Sequence, residues 1–288
     1  MINIVFFGSS PYSTIFLKQL LNSPEFNILV VITKPDRPQG RLQHITPNQV
    51  AQFAKNHQLK LLQPQKFDSE FTDLFKSLKP DLALVVAYGP PFFDQTLIDI
   101  LKYKIINIHP SPLPKYRGAT PGPWQIINGE TTSAVTFFQI DSLPDHGPII
   151  TQIPLNISPN DTADSFYQKA FSLASQNLNS ILKSYVQNPH LLTPQDHSQK
   201  TYFPKFTKKD GQIDWSQPAD KIERFIRALI PWPTAWTYVT NQSKDLFKMK
   251  ILSATLNQNQ ITPQQIQIEG KKVTNWSEVE NYYTIKKS

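Results

Sequence analysis

Three short and almost wholly apolar runs, Ile2 to Phe7, Phe26 to Thr33 and Asp81 to Ala87, restrict the folds open to this chain more than any other feature. They are too short for core helices and too apolar for strands with a wet face. Each predicts a strand buried on both sides, as parallel sheets require. Between the first two runs, Ile15, Phe16, Leu20 and Leu21 recur at helical spacing behind Ser10-Pro11, which predicts a capped helix with proline at its first position. Strand, helix and strand at this distance make a βαβ unit, so the expected class is α/β with a mostly parallel sheet.

The remaining pattern extends that reading. Helices are expected over 47–58, 68–78 and 94–102, a short strand over Leu59 to Leu62, and a further helix near Pro121 to Asn128. Strands follow at Ala134 to Ile140 and Ile149 to Leu155, then a long helix over 162–186. Asn188-Pro189, Thr193-Pro194 and Pro204 then break the pattern, which predicts a linker over 188–205 between a first domain, 1–187, and a second, 206–288. The second opens with Ile213-Asp214-Trp215-Ser216 and a helix over 218–229. Short alternating segments at Trp236 to Val239, Phe247 to Leu252 and Ile266 to Ile268 predict a small β-barrel.

Composition removes several kinds of chemistry. The chain has 25 Pro against 9 Gly and carries neither a G-x-G-x-x-G nor a P-loop motif, so dinucleotide and nucleotide cradles lose their usual signature. With no Cys there is no thiol nucleophile, disulfide framework or cysteine zinc site. The six His, at 44, 57, 109, 146, 190 and 197, form no H-E-x-x-H, and nothing in the pattern asks for a metal. Ile2 to Phe7 follows the first residue without a basic region and is too short to span a bilayer, so no membrane partner and a cytoplasmic location are expected. Residues 1–199 hold 15 Lys and Arg against 14 Asp and Glu, whereas residues 200–288 hold 14 against 8. The basic excess of the last third suits a polyanion, most plausibly nucleic acid, though a lysine surface kept for solubility gives the same count.

Reactive side chains gather at strand ends. In Ile105 to His109, Asn107 and His109 alternate with isoleucines and share a face, and Pro110, Pro112 and Pro114 forbid the strand to continue. In open α/β sheets that end is where ligands bind. Asp141 to Gly147 closes another strand and brings Asp145, with His146 beside it read as a solvent-facing loop residue. An amide, an imidazole and a carboxylate, without a nucleophile elbow, suit direct acyl transfer between two bound substrates. Tyr88-Gly89-Pro90-Pro91 forms a second loop at this edge. Lys34 to Arg41 is a third, whose cations could meet phosphate or simply be solvated.

These residues, taken with Pro35-Asp36-Arg37-Pro38, Gly40-Arg41, Ser111-Pro112-Leu113-Pro114, Arg117-Gly118-Ala119 and Pro231-Trp232-Pro233, give the chain a resemblance to a known family over nearly its whole length. It resembles the methionyl-tRNA formyltransferases and, more broadly, the formyltetrahydrofolate-dependent formyltransferases. The resemblance implies a Rossmann-like catalytic domain and an OB-like carboxyl-terminal barrel. It also implies transfer of formyl from 10-formyltetrahydrofolate to the α-amine of methionine on initiator tRNA, with no obligate protein partner. Asn107, His109 and Asp145 fall on the family's catalytic residues. Ser111, Pro112, Leu113 and Pro114, with Tyr88, Gly89, Pro90 and Asp141, fall on its folate site. The cations placed for tRNA are Lys34, Arg37 and Arg41 in the first domain and Lys205, Lys208, Lys209, Lys271 and Lys272 in the second. Pro112 stands where the family usually has Leu. After Leu252 the chain passes quickly to Gln267, so the barrel is expected to be shortened by a strand pair. An amino-sugar nucleotide formyltransferase and a formyltetrahydrofolate hydrolase would keep the same three polar residues. A non-catalytic RNA-binding protein would have no use for them.

Overall fold

The apolar runs become the middle of a seven-stranded sheet. A computed structural model describes residues 1–39 and 44–287, and Arg41 therefore lies outside the described residues. By contacts the chain gathers into two units, one of residues 1–117, 134–155 and 168–202, the other of residues 118–133, 156–167 and 203–288.

The first unit is built on β1 (Ile2–Gly8), β2 (Phe26–Ile32), β3 (Arg37–Gln39), β4 (His44–Thr46), β5 (Leu61–Leu62), β6 (Leu82–Val86), β7 (Ile105–His109), β8 (Thr132–Gln139) and β9 (Ile149–Asn156). The large sheet has the order β5-β2-β1-β6-β7-β8-β9. Its first five strands pair in parallel, and β8 runs antiparallel to β7. The chain winds outward from β1 through β2 to β5, then returns to the other side of β1 as β6 and β7. The order thus reverses between β1 and β6, and a crevice at the carboxyl ends of those strands is the expected ligand position. All five residues of β6 are buried, as a strand covered on both faces requires.

The connecting helices are α1 (Thr14–Leu21), α2 (Gln49–Asn56), α3 (Ser69–Ser77) and α4 (Gln95–Ile100), with α6 (Ala163–Gln187) after α5 (Pro121–Ile127) in the chain. Asn48, Asp68 and Asp94 cap α2, α3 and α4 by accepting from Ala51, Phe71 and Leu97 N–H. Each cap is worth about 1 kcal/mol. Ser10 caps instead a 3₁₀ turn, Pro11–Ser13, which leads into α1. The core joins Val5, Phe7, Val30, Val85, Tyr88 and Leu97, with Phe7 edge-on to Tyr88 at 5.4 Å and to Phe93 at 4.9 Å. The stretch read as the Lys34 to Arg41 loop is partly a strand, since Arg37–Gln39 pairs with β4.

The second unit holds α5, α7 (Ala219–Ala228) and the strands β10 (Ala235–Asn241), β11 (Leu246–Ile251), β12 (Ala254–Asn257), β13 (Gln260–Pro263), β14 (Gln265–Ile268), β15 (Val273–Asn275) and β16 (Tyr283–Lys286). An antiparallel sheet of order β15-β14-β11-β10-β16 closes over Ile222, Ile226, Val239, Met249, Ile251 and Ile266. The sequence leaves the stretch after Leu252 without strands, but β12 and β13 pair there as a hairpin. Its strands are short and mostly exposed, so little apolar alternation betrays it. Gln258 and Asn259, both at positive φ (45° and 62°), make the tight reversal.

Candidate active site

The strand β7 ends in the centre of the polar cluster. Asn107 lies in register between Val85 and Phe138, and His109 lies opposite Thr136. The prolines that follow do not leave a free loop. Thr136 Oγ1 donates to the Ser111 carbonyl at 2.6 Å and accepts from Leu113 N–H at 3.3 Å. Gln152 Nε2 donates to the Leu113 carbonyl at 2.8 Å and to Thr136 Oγ1 at 2.9 Å. The Ser111 hydroxyl is fully buried and donates to the Lys115 carbonyl at 2.8 Å, so it shapes the loop from within. Pro112 and Pro114 remain half-buried, while Leu113 is buried.

His109 is 5% exposed, and each ring nitrogen faces a polar group. Nε2 lies 2.8 Å from the Tyr116 carbonyl oxygen, which only accepts, so the network assigns the ring proton to Nε2. Nδ1 faces Asp145 Oδ1 at 3.8 Å, too long for a hydrogen bond yet close for an ion pair. A proton arriving at Nδ1 therefore creates an imidazolium that the Asp145 carboxylate stabilises. Asn107 is half-buried, and its side chain has no hydrogen-bond partner among the described residues. Two residues away on the same face, it leaves an amide free for a ligand.

The loop from Tyr88 to Pro91 is fixed differently from the sequence picture. The Tyr88 ring is buried in the core, its hydroxyl has no partner among the described residues, and burial pushes it up to about 12. Ser9 Oγ reaches the Ala87 and Tyr88 carbonyls at 2.9 and 3.1 Å, tying the end of β1 to the end of β6. A Cβ at Gly89 would meet no atom within 4 Å, so the backbone there borders open space. Lys34, placed by sequence among the nucleic-acid contacts, folds back onto this loop. Its Nζ lies 3.9 Å over the Tyr88 ring and donates to the Pro90 carbonyl. Burial first, and Arg37 second, push it down to about 8. Arg37 stays exposed.

His146, expected to face solvent, is only partly exposed. Its Nδ1 lies 2.6 Å from Asp141 Oδ2, and its ring stacks on His197 with centroids 4.0 Å apart. His197 Nδ1 accepts from Arg117 Nη2 at 2.8 Å, which requires the ring neutral. Burial, then the neighbouring His146 and Arg117, hold its pKa below the ordinary value. Sequence reasoning also missed Gln195, which contacts the Asp145 loop from the stretch read as linker. Prolines around it gave no signal beyond a break in periodicity.

In the second unit, Lys205, Lys208, Lys209, Lys271 and Lys272 are all exposed. Lys271 Nζ donates to the Tyr283 hydroxyl at 2.7 Å. Lys208 shares a cavity of about 300 Å³ with Lys248, Lys250, Trp232, Trp236 and Glu269. Lys248 Nζ sits 3.6 Å over the Trp236 ring, and burial, then Lys250, lowers its pKa. The sequence reading named neither Lys248 nor Lys250; alternation along the strand already puts both on one face, but only pairing with β10 brings Trp236 beside them. Among the described residues no cluster of three His, Asp or Glu is placed to hold a metal ion, and no helix is long and apolar enough to cross a membrane.

Comparison with known proteins gives the family of the chain. A family model described as formyl transferase matches residues 2–182, and one described as formyl transferase, C-terminal domain, matches residues 205–272. A methionyl-tRNA formyltransferase of Chloroflexus aggregans is 38% identical over 254 residues, covering 88% of this chain and 80% of that protein. Among solved structures, a methionyl-tRNA formyltransferase from Clostridium thermocellum superimposes with a TM-score of 0.64 at 15% identity, covering 93% and 99% of the two chains. An N-formyltransferase from Helicobacter canadensis, in complex with folinic acid and dTDP-3-aminofucose, gives 0.66 at 22% identity over 93% and 95%. The fold is common to both kinds of structure, so shape alone does not separate their acceptors.

Proposed function

The chain belongs to the formyl transferase family, and on that premise we propose that it carries formyl from 10-formyltetrahydrofolate to the α-amino group of methionine on initiator tRNA. The observation that carries the chemistry is the His109 ring, with Nε2 committed to Tyr116 and Nδ1 turned toward Asp145 at 3.8 Å. Attack of an amine on a formyl carbonyl puts negative charge on the carbonyl oxygen and positive charge on nitrogen. Asn107 donates its unpartnered amide N–H to that oxygen, and His109, protonated at Nδ1, donates to it as well. Asp145 faces the imidazole and takes or orders the proton of the amine, and collapse of the tetrahedral intermediate breaks the bond between the formyl carbon and the folate nitrogen, which leaves with that proton. One well-placed donor of this kind is worth about 3 kcal/mol in the transition state.

The formyl donor fits the crevice at the switch between β1 and β6. There the flat ring would lie by the backbone of Tyr88, Gly89 and Pro90 and by Asp141, with Ser111, Pro112, Leu113 and Pro114 forming one wall. The open space beside Gly89 supports that placement. In this reading residues 1–187 carry the chemistry, residues 188–205 join the parts, and residues 206–288 hold tRNA. Lys205, Lys208, Lys209, Lys271 and Lys272 would contact its phosphates, as would Arg37 and Arg41 from the first part. The Lys208, Lys248 and Lys250 cavity supports the assignment, since cations beside an indole face suit a nucleic-acid backbone.

Two measurements test it. Incubated with 10-formyltetrahydrofolate, the protein is expected to formylate charged initiator tRNA and to leave amino-sugar nucleotides unchanged. Incorporation into the sugar alone moves the chain to the other acceptor class, and release of formate alone makes it a hydrolase. Separately, Lys208→Ala is expected to weaken tRNA binding and to reduce the slope of log affinity against log salt by roughly one. An unchanged slope returns Lys208 to the solvated surface.

A further inference from the structure

Asp145 reaches His109 from the loop between β8 and β9. Ser142, Leu143 and Pro144 before it are exposed. Asp145 itself has φ 50°, in the left-handed region, which Asp tolerates better than most residues with a Cβ. A buried contact on this loop comes from Gln195, which is 6% exposed. Its Nε2 donates to the carbonyls of Asp145 at 3.1 Å and Gly147 at 2.7 Å, straddling the loop. Its Oε1 accepts from Arg117 Nε at 3.2 Å and Nη2 at 2.6 Å. Arg117 is 5% exposed and its own N–H donates to the Thr201 carbonyl at 2.9 Å. The peptide just before it carries the Tyr116 carbonyl that holds His109 Nε2. One hydrogen-bonded frame therefore grips the imidazole at one end and the carboxylate loop at the other.

We propose that Gln195, gripped by Arg117, is a positioning residue that sets Asp145 at its working distance from His109. The position needs an amide, because only an amide offers a donor to the two carbonyls and an acceptor to the guanidinium at once. Arg117 adds a buried cation to the frame: burial lowers its pKa, and Asp145, then Asp141, are the charges that oppose this. Displacement of a reacting group by about 1 Å can cost on the order of a hundredfold in rate. Gln195 touches no reacting atom and acts through Asp145 alone.

The inference rests on the transferase reading and is tested by Gln195→Met and Gln195→Glu. Both are expected to lower kcat by about tenfold or more, with KM for donor and acceptor within about twofold. Gln195→Glu keeps a partner for Arg117 but faces two carbonyls without a donor. In an Asp145→Asn background, Gln195→Met is expected to change kcat less than about twofold, because the group it positions is already disabled. An equal fall in both backgrounds, or full kcat in Gln195→Glu, overturns the proposal. A second readout needs no turnover. The imidazole ¹H–¹⁵N signals of His109 in Gln195→Met are expected to move toward their positions in Asp145→Asn, and signals that stay at wild-type positions overturn it. An inactive wild-type chain sinks the transferase reading, while the signals still decide the clasp.

Discussion

Asp145→Asn is expected to lower kcat at least about a hundredfold while KM for 10-formyltetrahydrofolate stays within about threefold. The substitution keeps the volume and the backbone contacts to Gln195, and removes only the charge that faces His109 Nδ1 at 3.8 Å. Without it, a proton at Nδ1 has no carboxylate to stabilise it in a site where His109 is 5% exposed. A placed acid or base contributes roughly a hundred- to ten-thousand-fold, and a hundredfold corresponds to about 2.7 kcal/mol. His109→Ala is expected to cost at least as much, since it removes the donor and also takes the imidazole Nε2 away from the Tyr116 carbonyl. Steady-state kinetics with separate donor and acceptor titrations check both. Near-normal turnover in either variant removes that residue from the catalytic set, and a rise in donor KM alone reassigns it to binding.

Gly147→Ala is expected to be the most damaging single methyl in the first unit. A Cβ there would lie 1.9 Å from the Gln139 carbonyl oxygen and 3.3 Å from the Asp141 nitrogen, both backbone atoms that no rotamer change can move. The same corner is fastened by Gln139 N–H donating to the Pro148 carbonyl at 3.0 Å and by Gln195 on the Gly147 carbonyl at 2.7 Å. Relief requires the loop to shift, and Asp145 is two residues away. The expected loss is about 2–3 kcal/mol of stability, the upper range for an overpacked site, together with a fall in kcat of about tenfold or more. Denaturant unfolding and kinetics on the folded protein read the two effects separately. A variant with wild-type midpoint and wild-type kcat would mean that the loop base yields without cost, and the tight-corner argument would fail.

The two expectations differ in what made them visible. Asn107 and His109 stand two apart on a strand whose isoleucines face the other way, and the prolines behind them mark the strand's end. Side-chain alternation and chain termination are local, so the sequence by itself determined that a polar pair sits at the carboxyl end of a buried strand. Likewise Ile2 to Phe7 and Leu82 to Val86 carried their burial in their own composition, and with the helical spacing between strands they determined a parallel α/β sheet. The basic excess of residues 200–288 was equally plain.

Partnership was decided only by the tertiary structure. The spacing of Asp145 from His109 says nothing about distance: β8 ends opposite Ile106, at the start of β7, and the two residues meet only because the loop after β8 folds back to His109. Gln195 lies 50 residues beyond Asp145 in a proline-broken stretch that reads as a joiner, yet its amide closes the frame. His146 was read as solvated because nothing local shows that His197 stacks on it. The hairpin of β12 and β13 escaped notice because its strands are four residues each and present only Ala254, Ile261 and Pro263 to the core, too short an apolar pattern to stand out. Periodicity in a sequence records how one element meets water, whereas a site of this kind depends on which elements become neighbours, and packing of the whole unit settles that choice.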